Sequence, residues 1–80
     1  MATANQIAFI TKIAESEFNG ADGAKPESVH EAFTWLNVAI ETASERGVFV
    51  SCVNANLVQV CDEVISLTQD GFNVYLEHSM

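Results

Sequence analysis

Residues 62–72 read DEVISLTQDGF, and two structures compete for them. In one, Leu57, Val60, Cys61, Val64 and Leu67 recur at helical spacing, and a single helix runs to Gly71 after a strand at Val48 to Val53. In the other, Asp62 and Glu63 sit at a hairpin tip between two short alternating strands, Leu57 to Val60 and Val64 to Leu67. Thr68 then caps a terminal helix, and residues 47–55 form a helix ahead of the hairpin. Local preference does not separate these, because VFVSCV at 48–53 is rich in β-branched residues that suit a strand.

The longer string FVSCVNANLVQVCDEVISLTQDGF resembles the end of a winged helix-turn-helix domain of the kind found in MarR-like regulators and small phage or plasmid proteins. That pattern runs approximately V-x-S-S-L-x-x-x-G-L-V, then a hairpin, then a strand ending L-T-x-x-G. The resemblance covers residues 46–77 and implies the second parsing. It puts Val50, Ser51, Cys52 and Val53 in a recognition helix, opens the wing at Leu57-Val58, and closes it at Leu67-Thr68 with Gly71. The chain departs from the pattern at Asn56, which stands where Gly is usual. Asn tolerates the left-handed backbone that ends a helix. It departs again at Asn54 and Ala55, where basic residues are common, and residues 47–56 carry no charge.

Upstream, Ile7, Ile10, Ile13 and Ala14 form one stripe, with Phe9 and Phe18 at its margins, which predicts a first helix over 5–18. Asn19-Gly20, Asp22-Gly23 and Pro26 mark 19–27 as a flexible loop. Ser28 and Glu31 have capping-box spacing, and Val29, Phe33, Leu36, Ile40 and Ala43 recur at three and four. A second, core-facing helix is expected from there to a terminator at Arg46-Gly47. The fold expected for residues 1–80 is one α+β, winged-helix-like domain with three helices, a two-stranded β-wing and a short C-terminal helix.

Charge bounds the function. Three basic residues against eleven acidic ones give a net charge of -8, and neither half of the chain offers a basic face to phosphates. The apolar share of 49% supports a core, and no run approaches the roughly 18 residues that span a bilayer. No basic leader precedes an apolar block, so the expected location is cytoplasmic. Cys52 and Cys61 are expected as reduced thiols rather than a disulfide or zinc pair.

No nucleophile with a base, converging carboxylate pair or metal-ligand cluster stands out, and His30 and His78 read as surface residues. Neither an enzyme nor a cofactor or metal site is expected. The expected function is that of a small acidic regulatory protein acting by protein-protein interaction on a partner with a basic surface. Its sharpest form is a DNA mimic or inhibitor of a host DNA-binding protein. The alternative is a DNA-binding regulator that uses its winged helix as a dimer, an option the net charge disfavours. The candidate partner-binding residues are Arg46, Ser51, Asn54, Asn56, Asp62 and Glu63. Phe72, Val74, Tyr75 and Leu76 leave two outcomes open: a homodimer through an apolar side, or packing of that segment on Ile7, Ile10 and Ile13.

Overall fold

The computed structural model describes residues 2–16 and 26–79, so residues 19–25 of the expected loop lie outside the described residues. Helix α1, Ala4–Glu15, starts at a capping box that joins Thr3 and Gln6. The Gln6 amide donates to Thr3 Oγ1 at 3.1 Å, and the Thr3 amide donates to Gln6 Oε1 at 2.9 Å. These bonds satisfy two of the amides that every helix N-terminus leaves open. Ile10, Ile13 and Ala14 are fully buried, as their spacing requires. Burying each isoleucine contributes roughly 1.5–3 kcal/mol.

The single helix expected from Ser28 to Arg46 does not form. Ser28 makes no side-chain cap, and Val29–Glu31 is one turn of 3-10 helix. Strand β1, Phe33–Trp35, follows, then the one-turn helix α2, Leu36–Ala39, and helix α3, Ala43–Asn54. The cause is a tertiary offer that helical spacing cannot reveal. Phe33, Thr34 and Trp35 are aromatic or β-branched, and they pair antiparallel with strand β3, Val64–Leu67. The Leu67 amide donates to Ala32 O at 3.1 Å, and the Leu36 amide to Glu63 O at 2.8 Å, so main-chain groups that a helix would have used bond across the sheet instead.

Thr42 supplies the capping box that Ser28 was expected to provide. The Glu45 amide donates to Thr42 Oγ1 at 3.1 Å, and the Thr42 amide donates to Glu45 Oε1 at 3.2 Å. Helix α3 therefore begins four residues before Gly47, which lies within it and terminates nothing. It stops at Ala55, after which Asn56 takes the left-handed conformation with φ 60°.

Strand β2, Val58–Cys61, pairs antiparallel with β3, and the order across the three-stranded sheet is β1-β3-β2. A third strand thus joins the expected hairpin, and no continuous helix crosses residues 56–69. Asp62 and Glu63 form the two-residue loop between Cys61 and Val64, with φ 49° and 68°. Ile65 and Leu67 point into the core.

Helix α4, Gln69–Ser79, is tied in at its first turn. The Gly71 amide donates to Thr68 Oγ1 at 3.1 Å, and the Thr68 hydroxyl donates to Asn56 O. Phe72 and Tyr75 are buried in the one core, and the Tyr75 hydroxyl donates to Glu15 Oε2 on α1 at 3.0 Å. Of the two outcomes open for this segment, packing against α1 is the one that occupies its aromatic side. The described chain is an α+β domain with four helices and a three-stranded antiparallel sheet.

Candidate functional site

Helix α3 carries three of the six sequence candidates, Arg46, Ser51 and Asn54. Its solvent face carries Ala43, Arg46, Gly47, Val50, Val53 and Asn54, all exposed. Arg46, Val50 and Val53 stand four and three residues apart and form one stripe, with Asn54 beside it. Val50 is 50% and Val53 44% exposed, so the middle of this face is apolar. Between α2 and α3, Leu36, Asn37, Ile40, Arg46, Phe49 and Val50 line a shallow depression of ≈ 440 Å³. Val38, exposed on α2, lines a different depression, with Trp35 and Glu63.

Ser51 is turned away from that face. It is half-buried, its hydroxyl donates to Val48 O at 2.7 Å, and it accepts from Gln6 Nε2 at 3.3 Å. It joins α3 to α1 and offers nothing outward. Asn56 is exposed just past the helix, with Nδ2 3.4 Å from Asp70 Oδ2. Asp62 and Glu63 are exposed at the hairpin tip. Arg46 and Asn54 thus share the α3 face, Asn56 lies against the start of α4, and the two acids stand apart on the hairpin.

The neighbouring cation is neutralised inside the fold. Lys12 Nζ reaches Glu45 Oε2 at 2.6 Å, Glu41 Oε1 at 3.0 Å and Ala39 O at 3.3 Å. Partial burial alone pulls the Lys12 ammonium down, but its hydrogen bonds to Glu45 and Glu41 outweigh that and hold it above its ordinary value. In return the Lys12 hydrogen bond, and then the Glu41 amide, hold the Glu45 carboxyl below its ordinary range. Arg46 makes no ion pair among the described residues, and it is the one cation that α3 presents.

A second exposed apolar surface lies on the outer side of the sheet. Phe33 and Trp35 project from β1 on that side, Trp35 with 56% of its surface exposed. Trp35, Val64 and Cys61 are aligned across the three strands, and Phe33, Ser66 and Gln59 form the row beside them. Helical spacing placed Phe33 in the core, and the sequence reading did not single out Trp35, Val38, Val50 or Val53 as exposed apolar residues. The available signal was alternation in Phe33-Thr34-Trp35, whose buried member is the threonine.

Cys52 and Cys61 are both free thiols, the first buried and the second exposed. Burial pushes the Cys52 thiol up to about 11. Among the described residues, no group of three or more His, Cys, Asp or Glu side chains could hold a metal ion, and no helix is long and apolar enough to cross a membrane. No protein-family model matches the chain, and neither does a curated protein or a solved structure.

Proposed function

We propose that the chain is a winged-helix-like regulatory domain that acts by binding another protein, one with a basic surface, and not by chemistry. Support for the winged-helix reading comes from the order α1-β1-α2-α3-β2-β3-α4, with the short strand between the first two helices paired to the far strand of the hairpin. In that scheme α3 takes the position of the recognition helix, and the Asp62-Glu63 hairpin that of the wing.

One observation carries the functional reading: the exposed face of α3 offers two valines and a single arginine. A helix laid in the major groove works through bases and polar donors, because phosphates must be neutralised and base edges hydrogen-bonded. Half-exposed valines gain nothing against phosphate, but they gain free energy when a protein surface covers them. The two carboxylates at the hairpin tip also repel a backbone that a wing would touch. Duplex mimicry, the sharper form of the proposal, calls for carboxylates ranged along one face. Glu41 and Glu45 are instead drawn onto Lys12, which favours docking over mimicry.

The alternative, a DNA-binding regulator, draws on Arg46 and Asn54, which can both donate from the α3 face. A mobility-shift titration with random duplex at low salt separates the two readings. The chain is expected to leave duplex unshifted, and Val50→Asp to abolish capture of a protein partner that the wild type retains. Tight, salt-sensitive duplex binding by the isolated chain would overturn the proposal.

A further inference from the structure

The geometry points to an arginine-binding pocket between Trp35 and Glu63, made to receive a guanidinium from an exposed segment of the partner protein. This inference rests on the protein-binding reading above and identifies the side chain it would recognise. Trp35, Leu36, Asn37, Val38 and Glu63 line a shallow pocket of ≈ 460 Å³ where the end of β1 meets the hairpin tip. Its two walls are held together by the bond from the Leu36 amide to Glu63 O at 2.8 Å. The backbones that carry the indole and the carboxylate are therefore tied together, although 28 positions separate Trp35 from Glu63 (63 − 35).

Each wall matches part of an arginine side chain. The exposed indole face attracts a planar cation and stacks on it, which an ammonium does less well. The Glu63 carboxylate can take two parallel N–H donors from the same guanidinium. Leu36 and Val38 offer apolar surface to the methylene stem, and Asn37 offers an amide oxygen to a remaining donor. Charge complementarity fixes the occupant as cationic. The chain carries a net charge of -8, and Lys12 is already paired. Arg46 lines the neighbouring depression with Leu36 and Asn37, but Asp62 and Glu63 outnumber it at the hairpin, so the local field draws positive groups there.

Trp35 is the single tryptophan of the chain, so its emission reports the pocket directly. The experiment titrates the intact protein, at low salt, with a fluorescein-labelled peptide of alternating Arg and Ser and with its Lys counterpart. Peptide anisotropy reports binding anywhere, while indole emission reports the pocket. The Arg peptide is expected to change Trp35 emission saturably, in step with anisotropy, and to bind about fivefold more tightly than the Lys peptide. Glu63→Gln should weaken the Arg peptide by about fivefold, whereas Asp62→Asn, an equal loss of charge beside the pocket, should change it less than twofold, as expected for an exposed charge. Trp35→Leu should erase the preference for Arg over Lys.

If anisotropy rises while emission stays flat and Glu63→Gln behaves as Asp62→Asn does, the pocket is refuted and the basic-partner reading stands. If neither peptide binds, both fall. If the wild type is a dimer that Arg46→Ala converts to monomer with a change in Trp35 emission, a second copy is the occupant and the partner assignment is overturned. Circular dichroism of each variant excludes unfolding as the cause of lost binding.

Discussion

Gly71 and Gly47 are expected to respond to alanine with opposite signs. Gly71 lies in the first turn of α4, and a Cβ there would overlap the Leu57 carbonyl oxygen, with the Leu57 carbonyl carbon at 2.9 Å and Cα at 3.3 Å. These are backbone atoms and cannot swing aside. Leu57 O also accepts from the Thr68 amide at 3.0 Å, so any retreat stretches a bond that seats α4. Overpacking costs roughly 1–3 kcal/mol, and a weakened main-chain bond about 1 more. The better helix propensity of alanine returns about 1 kcal/mol, which leaves a net loss of about 1–3. A chain of this length is stable by roughly 4–12 kcal/mol, and its melting temperature moves about 4–8 °C per kcal/mol. Gly71→Ala should therefore melt about 4–24 °C lower. Gly47, in the exposed middle of α3, has nothing within 4 Å of such a Cβ. There alanine should add roughly 0.5–1 kcal/mol by reducing the freedom of the unfolded chain. Thermal and urea unfolding followed by circular dichroism measure both. Gly71→Ala within 1 kcal/mol of wild type, on the order of the method's error, would refute the close approach to Leu57. A destabilised Gly47→Ala would restore the helix end that the Arg46-Gly47 pair suggests.

Three further outcomes follow from charge and burial. Cys61 should react at once with an aromatic disulfide reagent, while Cys52 waits for unfolding. Because burial raises the Cys52 thiol from 9.0 to about 11, the unfolded chain ionises first and folding stability falls as pH rises between those values, by about 1.4 kcal/mol per pH unit. Cys52→Ala should flatten that slope in urea titrations, and an unchanged slope would remove the thiol as its cause. On the acid side, the Glu45 carboxyl is held below its ordinary 4.5, so its contribution is present above that value and is lost as pH falls through the lower folded one. Lys12→Met should weaken this dependence, while an identical acid profile would show that the Lys12 contact does not persist in solution. Val50→Lys together with Val53→Lys should create duplex binding whose logarithm falls with log salt by about 0.9 per new phosphate contact. Continued absence of binding would count against α3 holding the recognition-helix position.

The hairpin was legible because two alternating strands flank a pair of polar residues, and its register follows once one face must be buried. Leu67-Thr68-x-x-Gly71 was legible as a pattern, and the fold supplies its cause: Thr68 caps α4, and Gly71 lets the helix approach Leu57. Residues 28–47 were misread for a definite reason. Ser28-x-x-Glu31, Thr3-x-x-Gln6 and Thr42-x-x-Glu45 carry the same capping signature, and local chemistry does not rank them. The free edge of β3 decides among them by drawing Phe33–Trp35 into the sheet, which leaves Thr42 to start α3. Of the candidate site, the shortage of bases was visible in the composition, but the exposed valines were not. Nor was the inward turn of Ser51, because Gln6, the partner that holds it, lies 45 positions away.

The residues at the hairpin tip set stability against charge. A two-residue loop with both φ angles positive fits the twist of its strands, and Asn-Gly is the pair that adopts it with least strain. Here the pair is Asp62-Glu63, at φ 49° and 68°. Asp tolerates the left-handed region, but Glu has no short polar group to compensate its Cβ and costs roughly 1–2 kcal/mol there. Glu63→Gly should therefore stabilise the domain by about 1 kcal/mol, after allowing for the greater freedom of glycine when unfolded. The same change removes the carboxylate beside Trp35, so a more stable protein should bind the Arg peptide about fivefold less tightly. Opposite movements of stability and affinity on one substitution are what a strained residue kept for recognition requires. A variant that is both less stable and equally tight would show that Glu63 serves the turn alone.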